Sequence, residues 1–240
     1  MMPRSLRALL ANVVDYAGLY PPAALPLPEV VANYERYLLS PDAWMLNRLV
    51  LPMEKLDEVA LGEKWRVTLL VDREPGPLPP QVETLETKNG KRLSLPTYCE
   101  VPLDRVEDGY AKVRTGGLTA DATPSAEILA EFLSSAAARR LPFKATAGLH
   151  QPIRSTMHGF LNVFAGAAFA WLGVDRAAVT RLLDETDPQA FDFRDDGLRW
   201  REWRASTAEV EEARRDFAHS FGSCSFSEPL DGLRALGLME

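Results

Sequence analysis

The sequence is poor in the residues that cross-link small secreted proteins or bind metals. It has two cysteines, Cys99 and Cys224, and three histidines among 240 residues. Two cysteines so far apart argue against a disulfide framework and suit a reducing compartment, so we expect a cytoplasmic protein. C-x-x-C, H-x-H and H-E-x-x-H motifs are all missing. The sequence therefore predicts no metal site.

Long apolar runs and surplus positive charge are also missing. The longest apolar stretch, Phe160 to Gly173, is interrupted by Asn162 and falls short of the ~18 residues that a membrane span needs. A net charge of -7 argues against nucleic acid as a partner. A small anionic metabolite fits, because a local basic pocket can exist on an acidic protein. No G-x-G-x-x-G, P-loop or G-x-S-x-G motif is present, and no cofactor is predicted.

Segments rich in apolar and β-branched residues alternate with segments of helical period, which is typical of βα units around a parallel sheet. The predicted strands are Asn12 to Ala17, Leu46 to Pro52, Arg66 to Asp72, Thr97 to Pro102, Ala111 to Thr115, Phe143 to Ala147, Ala190 to Phe193 and Phe221 to Phe226. The predicted helices are Pro28 to Leu39, Glu54 to Leu61, Pro80 to Thr87, Pro124 to Arg139, Met157 to Leu172, Arg176 to Glu185, Thr207 to Ser220 and Glu228 to Leu236. Thr123 is expected to cap the helix that begins at Pro124, and Ser206 with Glu209 fits a capping box.

These elements predict one α/β domain over residues 1–240, a (β/α)8 barrel of TIM type with its site at the C-terminal ends of the strands. The link between Pro102 and Ala111 is shorter than a normal parallel crossover. The barrel is therefore expected to be irregular or incomplete there, or the two strands pair antiparallel. The Asp195–Gly197 segment indicates a β-hairpin with a D-G turn, added to the main fold.

Two related segments contain the most informative side chains. A-K-V-R-T-G-G spans Ala111–Gly117 and F-K-A-T-A-G-L-H spans Phe143–His150. Each has a lysine four residues before a glycine that can begin the turn after a strand. If the two strands are parallel neighbours, Lys112 and Lys144 lie at equivalent heights.

Strand alternation puts Arg114 on the same face as Lys112, and Thr146 on the same face as Lys144. Repulsion between two close ammonium groups, together with partial burial, favours the neutral amine of a nucleophile. The alternative is a pair of interior lysines neutralised by carboxylates such as Glu100.

The two segments resemble the lysine-bearing strands of the deoxyribose-phosphate aldolase family. In that family a K-T-S-T-G segment carries the Schiff-base lysine, and a V-K-A-S-G-G segment carries a second lysine that tunes it. The resemblance covers Ala111 to His150 and implies that Lys112 forms the Schiff base while Lys144 lowers its pKa. Arg114 replaces a small hydroxyl residue, T-A-G replaces S-G-G, and Glu100 is the nearest candidate for that family's catalytic aspartate. The whole chain is also similar to a group of bacterial proteins that share F-K-x-T-A-G-L-H and H-G-F-L-N, a likeness that implies no function.

Other polar residues are candidates for the same mouth of the barrel. His150 follows the Gly148 turn and is either a general acid or base or an ordinary loop histidine. His158 either lines the mouth or caps a helix, and Asp15 either faces the pocket or forms a structural turn. Arg154 would add positive charge for an anionic substrate.

The segment F-G-S-C-S-F-S-E-P lies where barrel enzymes often bind phosphate, at the loops after the last strands. Gly222, Ser223 and Ser225 suit that role. The alternative is a hydroxyl-rich turn in which Ser227 caps the terminal helix.

Together these features predict an aldolase-like lyase in which Lys112 forms a Schiff base with a small phosphorylated or carboxylated carbonyl compound. A second hypothesis is cofactor-free or metal-assisted proton abstraction next to a carboxylate, with Lys144 as the base and Glu100 and Asp15 as ligands. A third is a non-catalytic module that binds an anionic metabolite. The sequence leaves the substrate and homo-oligomer formation open.

Overall fold

The computed structural model describes residues 2–117 and 122–239 and contains a closed barrel of eight parallel strands. In chain order the strands are β1 Val14–Tyr16, β2 Leu46–Pro52, β3 Val67–Leu70, β4 Val82–Thr87, β5 Thr97–Cys99, β6 Tyr110–Arg114, β7 Phe143–Thr146, β8 Phe191–Phe193, β9 Gly197–Trp200, β10 Trp203–Ser206 and β11 Ala218–Ser223. Strands β1 to β7 follow one another around the barrel, and β11 closes it between β7 and β1. The predicted α/β barrel is therefore confirmed.

Helices surround most of the barrel. They are α1 Arg4–Leu10, α2 Leu27–Leu38, α3 Ala126–Ala138, α4 Phe160–Trp171, α5 Arg176–Leu183, α6 Thr207–Asp216 and α7 Ser227–Ala235. Short 3-10 helices include Ala43–Met45, Met53–Glu58, Leu103–Arg105 and Pro188–Ala190. Within residues 2–117 and 122–239, no helix has the length and apolar character needed to cross a bilayer.

The helical layer is thin on one side. Residues 71–81 and 88–96, all of which the structure describes, connect β3 to β4 and β4 to β5 without a helix. Between β5 and β6 there is one 3-10 turn, Leu103–Arg105, yet the two strands are parallel. The short link between β5 and β6 is thus an irregular crossover between parallel strands. The alternative prediction, antiparallel pairing of these strands, is wrong. Leucines of the loops, Leu78, Leu93 and Leu95, pack against the core on this side.

The core lies between the outer face of the barrel and the helices. Helix α4 is apolar on nearly all faces because α3, α5 and α6 all pack against it. Its Phe160 and Phe164 rings lie 5.5 and 5.9 Å from the ring of Phe221 on β11. Asn162, fully buried in the same helix, donates to the carbonyl oxygens of Leu182 and Glu185 at 2.9 and 2.8 Å. This amide therefore fixes α4 to the end of α5.

Two predicted elements of the barrel are wrong. Residues Pro80 to Thr87, predicted as a helix, form strand β4, in which V-E-T-L-E-T pairs with β3 and β5. Residues Ala190 to Phe193 do contain a strand, β8, but it belongs to a separate antiparallel sheet with β9 and β10. This sheet includes the predicted D-G hairpin. The eight strands of the barrel therefore include β4 in place of β8.

Of the predicted helix ends, one cap is confirmed, and one cap and one C-terminal end are wrong. The capping box of Ser206 and Glu209 is present at the start of α6. Helix α3 is capped by Ser125, whose side chain accepts the N–H of Ile128, and Thr123 precedes that cap. The helix predicted to reach Ser220 ends at Asp216, because the chain enters β11 at Ala218.

Candidate active site in the C-terminal mouth of the barrel

Charged side chains meet inside the barrel near the C-terminal ends of its strands. Lys112 on β6 and Lys144 on β7 are paired in register, as the two K-x-x-x-G segments predict. Lys144 also contacts Asp15 on β1 and Glu86 on β4. Neither β1 nor β4 is a neighbour of β7. These contacts therefore cross the interior of the barrel.

The charges alternate in sign along one connected chain. The Lys112 Nζ lies 2.7 Å from Glu86 Oε2 and 2.7 Å from Glu100 Oε2. The Lys144 Nζ lies 2.5 Å from Glu86 Oε1 and also pairs with Asp15 Oδ2. Arg114 Nε donates to Glu100 Oε1 at 2.8 Å. We call this set the charge chain, which runs in the order Arg114, Glu100, Lys112, Glu86, Lys144, Asp15.

Asp15 forms the buried end of the charge chain. Its Oδ1 accepts from Asn47 Nδ2 at 2.7 Å and from the Arg48 backbone N–H at 3.2 Å. Its Oδ2 accepts from the Ser220 hydroxyl at 2.8 Å. The residue has no exposed surface. Asp15 thus faces the interior of the barrel, where its carboxylate pairs with the Lys144 ammonium group.

The pKa shifts follow from this alternation. Burial alone would raise the pKa of Glu86, but the ammonium groups of Lys144 and Lys112 lower it to about 2. Burial alone would lower the pKa of Lys144, but Asp15 and Glu86 raise it above its ordinary value. The pKa of Glu100 is lowered, since Lys112 and Arg114 outweigh its burial. Both lysines thus lie beside carboxylates inside the barrel, as the alternative to a neutral amine predicts, and the carboxylate between them opposes loss of the Lys144 proton.

A cavity of about 400 Å³ opens above the charge chain. The side chain of Lys112 is 9% exposed, whereas that of Lys144 is 1% exposed. Of the two amines, a molecule in the cavity therefore reaches Lys112 more easily. The predicted site residues that line the cavity are Glu100, Lys112, Arg114, Lys144, Thr146, His150 and Gly222.

The glycines of the two lysine segments touch each other at this mouth. Gly148 has a φ of +84°, a left-handed conformation that favours glycine. A Cβ on Gly148 would lie 2.8 Å from the Cα of Gly116. The backbones that follow β6 and β7 are therefore in close contact at the edge of the cavity, which Gly148 lines.

Tyr20, in the loop after β1, also lines the cavity. Its hydroxyl is buried and has no hydrogen-bond partner among the residues that the structure describes. Burial and the nearby carboxylate of Glu86 raise its pKa. The hydroxyl is therefore a protonated donor without a described partner, on a residue that lines the cavity.

His150 lies at the rim of the cavity, whereas His158 and Arg154 lie outside it. The His150 Nδ1 is 2.8 Å from Glu228 Oε2. His158 is buried, donates from Nε2 to the Pro124 carbonyl at 2.8 Å and accepts from Arg154 at 2.9 Å. Arg154 also pairs with Asp184 at 3.3 Å. His158 and Arg154 thus connect the segment before α4 to its neighbours.

The serine-rich segment after β11 uses its hydroxyl groups within the loop. Ser223 accepts from the N–H of Ser225 at 3.3 Å, and Ser225 accepts from the N–H of Glu228 at 3.2 Å. Ser225 rather than Ser227 thus binds a free N–H in the first turn of α7. The Glu228 carboxylate already occupies the start of this helix. The local charge therefore disfavours phosphate there, and of the three predicted phosphate ligands Gly222 lines the cavity.

Neither a metal site among the described residues nor a known relative identifies what the site does. Among residues 2–117 and 122–239, no group of three or more His, Cys, Asp and Glu side chains is placed to hold a metal ion. Comparisons of the chain with protein-family models, curated proteins and solved structures find no match.

Glu86 is the central residue that the sequence analysis missed. It contacts both lysines and is 4% exposed. The signal that could have found it is the alternation in V-E-T-L-E-T, where Thr84 and Glu86 share one face of a strand. The helix prediction for Pro80 to Thr87 hid that alternation.

Proposed function

We propose that this protein is an aldolase-like lyase in which Lys112 forms a Schiff base with a small carbonyl compound. The observation that carries the proposal is the pair of in-register lysines joined by one buried carboxylate, with the side chain of Lys112 9% exposed and that of Lys144 1% exposed. The two lysines thus have different environments. This difference favours a division of roles between them.

In this proposal Lys112 is the nucleophile. Attack on a carbonyl requires its neutral amine, and Glu100, which lies 2.7 Å from its Nζ and is more exposed than Glu86, is placed to take the proton. The new C–N bond turns the carbonyl oxygen into the hydroxyl of a carbinolamine. The proton taken from Lys112 returns to that hydroxyl, which leaves as water and gives an iminium ion. The iminium accepts the electron pair of the Cα–Cβ bond as that bond breaks, which gives an enamine, while a carboxylate takes the proton of the hydroxyl group on the β-carbon, which becomes the carbonyl of the released fragment.

Lys144 stays protonated and acts as a fixed positive charge. Asp15 and Glu86 raise its pKa, so it can stabilise the carbinolamine oxygen without losing its proton. Tyr20 supplies a second donor, because its buried hydroxyl has no partner within the part of the chain that the structure describes. Glu86, which contacts both lysines and is ionised at neutral pH, holds them in position, and Glu100 keeps the carboxylate role that the aldolase resemblance implies.

The charge distribution suggests how a substrate would lie. Inside the barrel, every cation of the charge chain contacts a carboxylate. At the rim, Lys88 is exposed and Arg114 is 58% exposed. We infer that an anionic group of the substrate binds at this rim while its carbonyl reaches Lys112. Arg154, expected to contribute to anion binding, pairs with Asp184 elsewhere.

The two alternative functions have less support from the site. Proton abstraction by Lys144 requires its neutral form, which its raised pKa opposes. A module that binds an anion deep in the barrel would place that anion beside the carboxylates of Glu86 and Glu100. Repulsion from both carboxylates opposes such binding.

Borohydride trapping tests the proposal. Incubation with a panel of small aldehydes and keto acids, followed by reduction, should leave a stable mass increase that peptide mass spectrometry maps to Lys112. Lys112→Arg keeps the charge but cannot form the imine, so trapping should disappear. Lys88→Arg at the rim is the matched control and should still be labelled at Lys112. Labelling of Lys144 that survives Lys112→Arg would reverse the assignment, and no labelling with any member of the panel would exclude the Schiff-base proposal.

A further inference from the structure

The opposite, N-terminal mouth of the barrel contains a second and larger cavity, of about 760 Å³. It lies next to residues that precede the strands, such as Asn12 before β1 and Arg66 before β3. It shares no lining residue with the cavity above Lys112. We call it the arginine mouth, after the residues Arg4, Arg7, Arg48, Arg66, Arg214 and Arg215 that line it.

The arginine mouth has few acidic groups to balance these cations. The acidic residues that line it are Glu83 and Glu211, and Arg215 pairs with the adjacent Asp216 at 2.7 Å. Glu83 is already shared, since its two oxygens lie 2.8 Å from Arg48 Nε and 2.9 Å from Arg66 Nε. Arg7 lies over the ring of Trp44, 4.7 Å from its centre. Positive charge is thus concentrated here on a chain whose net charge is -7.

Arg214 gives a second, independent indication. Its residue is 8% exposed, and its terminal nitrogens donate to main-chain carbonyls, at 2.8 Å to His219 and 3.0 Å to Ala11. Its buried Nε has no hydrogen-bond partner among residues 2–117 and 122–239. Carbonyl oxygens satisfy hydrogen bonds but do not neutralise the charge. Since buried charges are normally paired, this guanidinium lacks the counter-ion that an anion in the mouth would supply.

The floor of the arginine mouth is aromatic and uncharged. The rings of Tyr98, Tyr110 and His219 lie against one another, with centroids 5.4 to 5.9 Å apart. The Tyr98 hydroxyl lies 2.8 Å from His219 Nδ1. Burial and the nearby arginines lower the pKa of His219 to about 4. The positive charge of the mouth therefore comes from arginines, which are protonated at neutral pH, including Arg214, whose pKa burial lowers to about 9.

We propose that the arginine mouth binds a small anion that carries two or more negative charges on phosphate groups. The planar guanidinium group matches phosphate oxygens with two parallel N–H donors, and several converging arginines favour a multiply charged ligand over a monovalent ion. This site is separate from the one above Lys112. The inference does not depend on the proposed lyase activity.

Calorimetric titration of the full chain with inorganic pyrophosphate tests this inference. We expect saturable binding and a rise in the thermal unfolding temperature, since a ligand that binds the folded state stabilises it. Arg7→Gln and Arg66→Gln, at positions that are partly or fully exposed, should each weaken binding by about tenfold through loss of a charge-assisted contact. Arg204→Gln, an exposed arginine of β10 outside the mouth, is the matched control and should bind as the wild type does.

Three results would overturn the inference. The first is the absence of saturable pyrophosphate binding by the wild type. The second is equal weakening by Arg204→Gln and Arg66→Gln, which indicates attraction by overall charge. The third is loss of binding in Arg114→Gln with no change in Arg66→Gln, which would place the anion at the opposite mouth.

Discussion

Replacing Glu86 by glutamine tests the charge chain most directly. The substitution keeps the shape of the side chain and removes the charge that lies between the two ammonium groups. Lys112 would then depend on Glu100, and Lys144 on Asp15. The two cations, paired in register on adjacent strands, would repel each other with no carboxylate between them.

The structure also indicates how much stability Glu86→Gln should remove. The two lysines lower the pKa of Glu86 from 4.5 to about 2, which corresponds to about 3 kcal/mol of the free energy of unfolding at neutral pH. Removing one partner from a buried ion pair costs about 3 to 5 kcal/mol in other proteins. We therefore expect Glu86→Gln to lower the free energy of unfolding by about 3 to 5 kcal/mol at pH 7.

The effect should depend on pH in a defined direction. A carboxylate whose pKa is lowered on folding contributes its full stabilisation above its unfolded pKa of 4.5. That contribution is lost as the pH falls towards the folded value of about 2. The difference in stability between the wild type and Glu86→Gln should therefore be constant above about pH 5 and shrink steadily below it.

Urea unfolding at pH 7 and at a series of pH values down to 3 measures both quantities. Glu83→Gln is the matched control, because Glu83 lies on the same strand and also pairs with two cations but is 34% exposed. Solvent screening should limit its effect to about 1 kcal/mol or less. A loss below about 1 kcal/mol for Glu86→Gln, or a difference from the wild type that does not change below pH 5, would refute this account of the charge chain.

Two further substitutions test the cavity. Gly148→Ala should lower the free energy of unfolding by at least about 2 kcal/mol in urea titrations. The reasons are the φ of +84° at this residue and the position of the added Cβ, 2.8 Å from the Gly116 Cα. Unchanged stability would show that the ends of β6 and β7 can move apart to make room for the methyl group. Tyr20→Phe removes a buried hydroxyl without a described partner, so we expect unchanged thermal stability and a fall of at least about tenfold in the rate of imine formation measured by borohydride trapping. Lost stability with an unchanged rate would instead assign this hydroxyl a structural role.

The pairing of the two lysines could be predicted from the sequence because it depends on local periodicity. Each lysine lies on a strand and is followed four residues later by a glycine, and the helix between the strands makes them parallel neighbours. The protonation of Lys144 could not be predicted in this way. Its partners Asp15 and Glu86 lie 129 and 58 residues away along the chain, and no local pattern connects them.

The error at β4 has a different physical cause. V-E-T-L-E-T is six residues long, too short for periodicity to separate a helix from a strand. What makes it a strand is pairing with β3 and β5 on either side. In the same way, local pattern indicates that Phe191–Phe193 is extended, but membership of the barrel or of the added sheet depends on tertiary contacts.

The uneven helical layer divides the charge chain into a firmly held part and a loosely held part. Strands β1, β6 and β7, which contain Asp15 and the two lysines, are each followed along the chain by an α-helix. Glu86 on β4 is followed by a loop, and Glu100 follows β5 before a single 3-10 turn. Segments with little packed structure around them open at a lower free energy than the rest of a protein. Transient opening of the β4 and β5 side of the barrel would move Glu86 and Glu100 away from Lys112 and leave Lys144 paired with Asp15. The Lys112 amine would then be unpaired for part of the time, whereas the Lys144 amine would not.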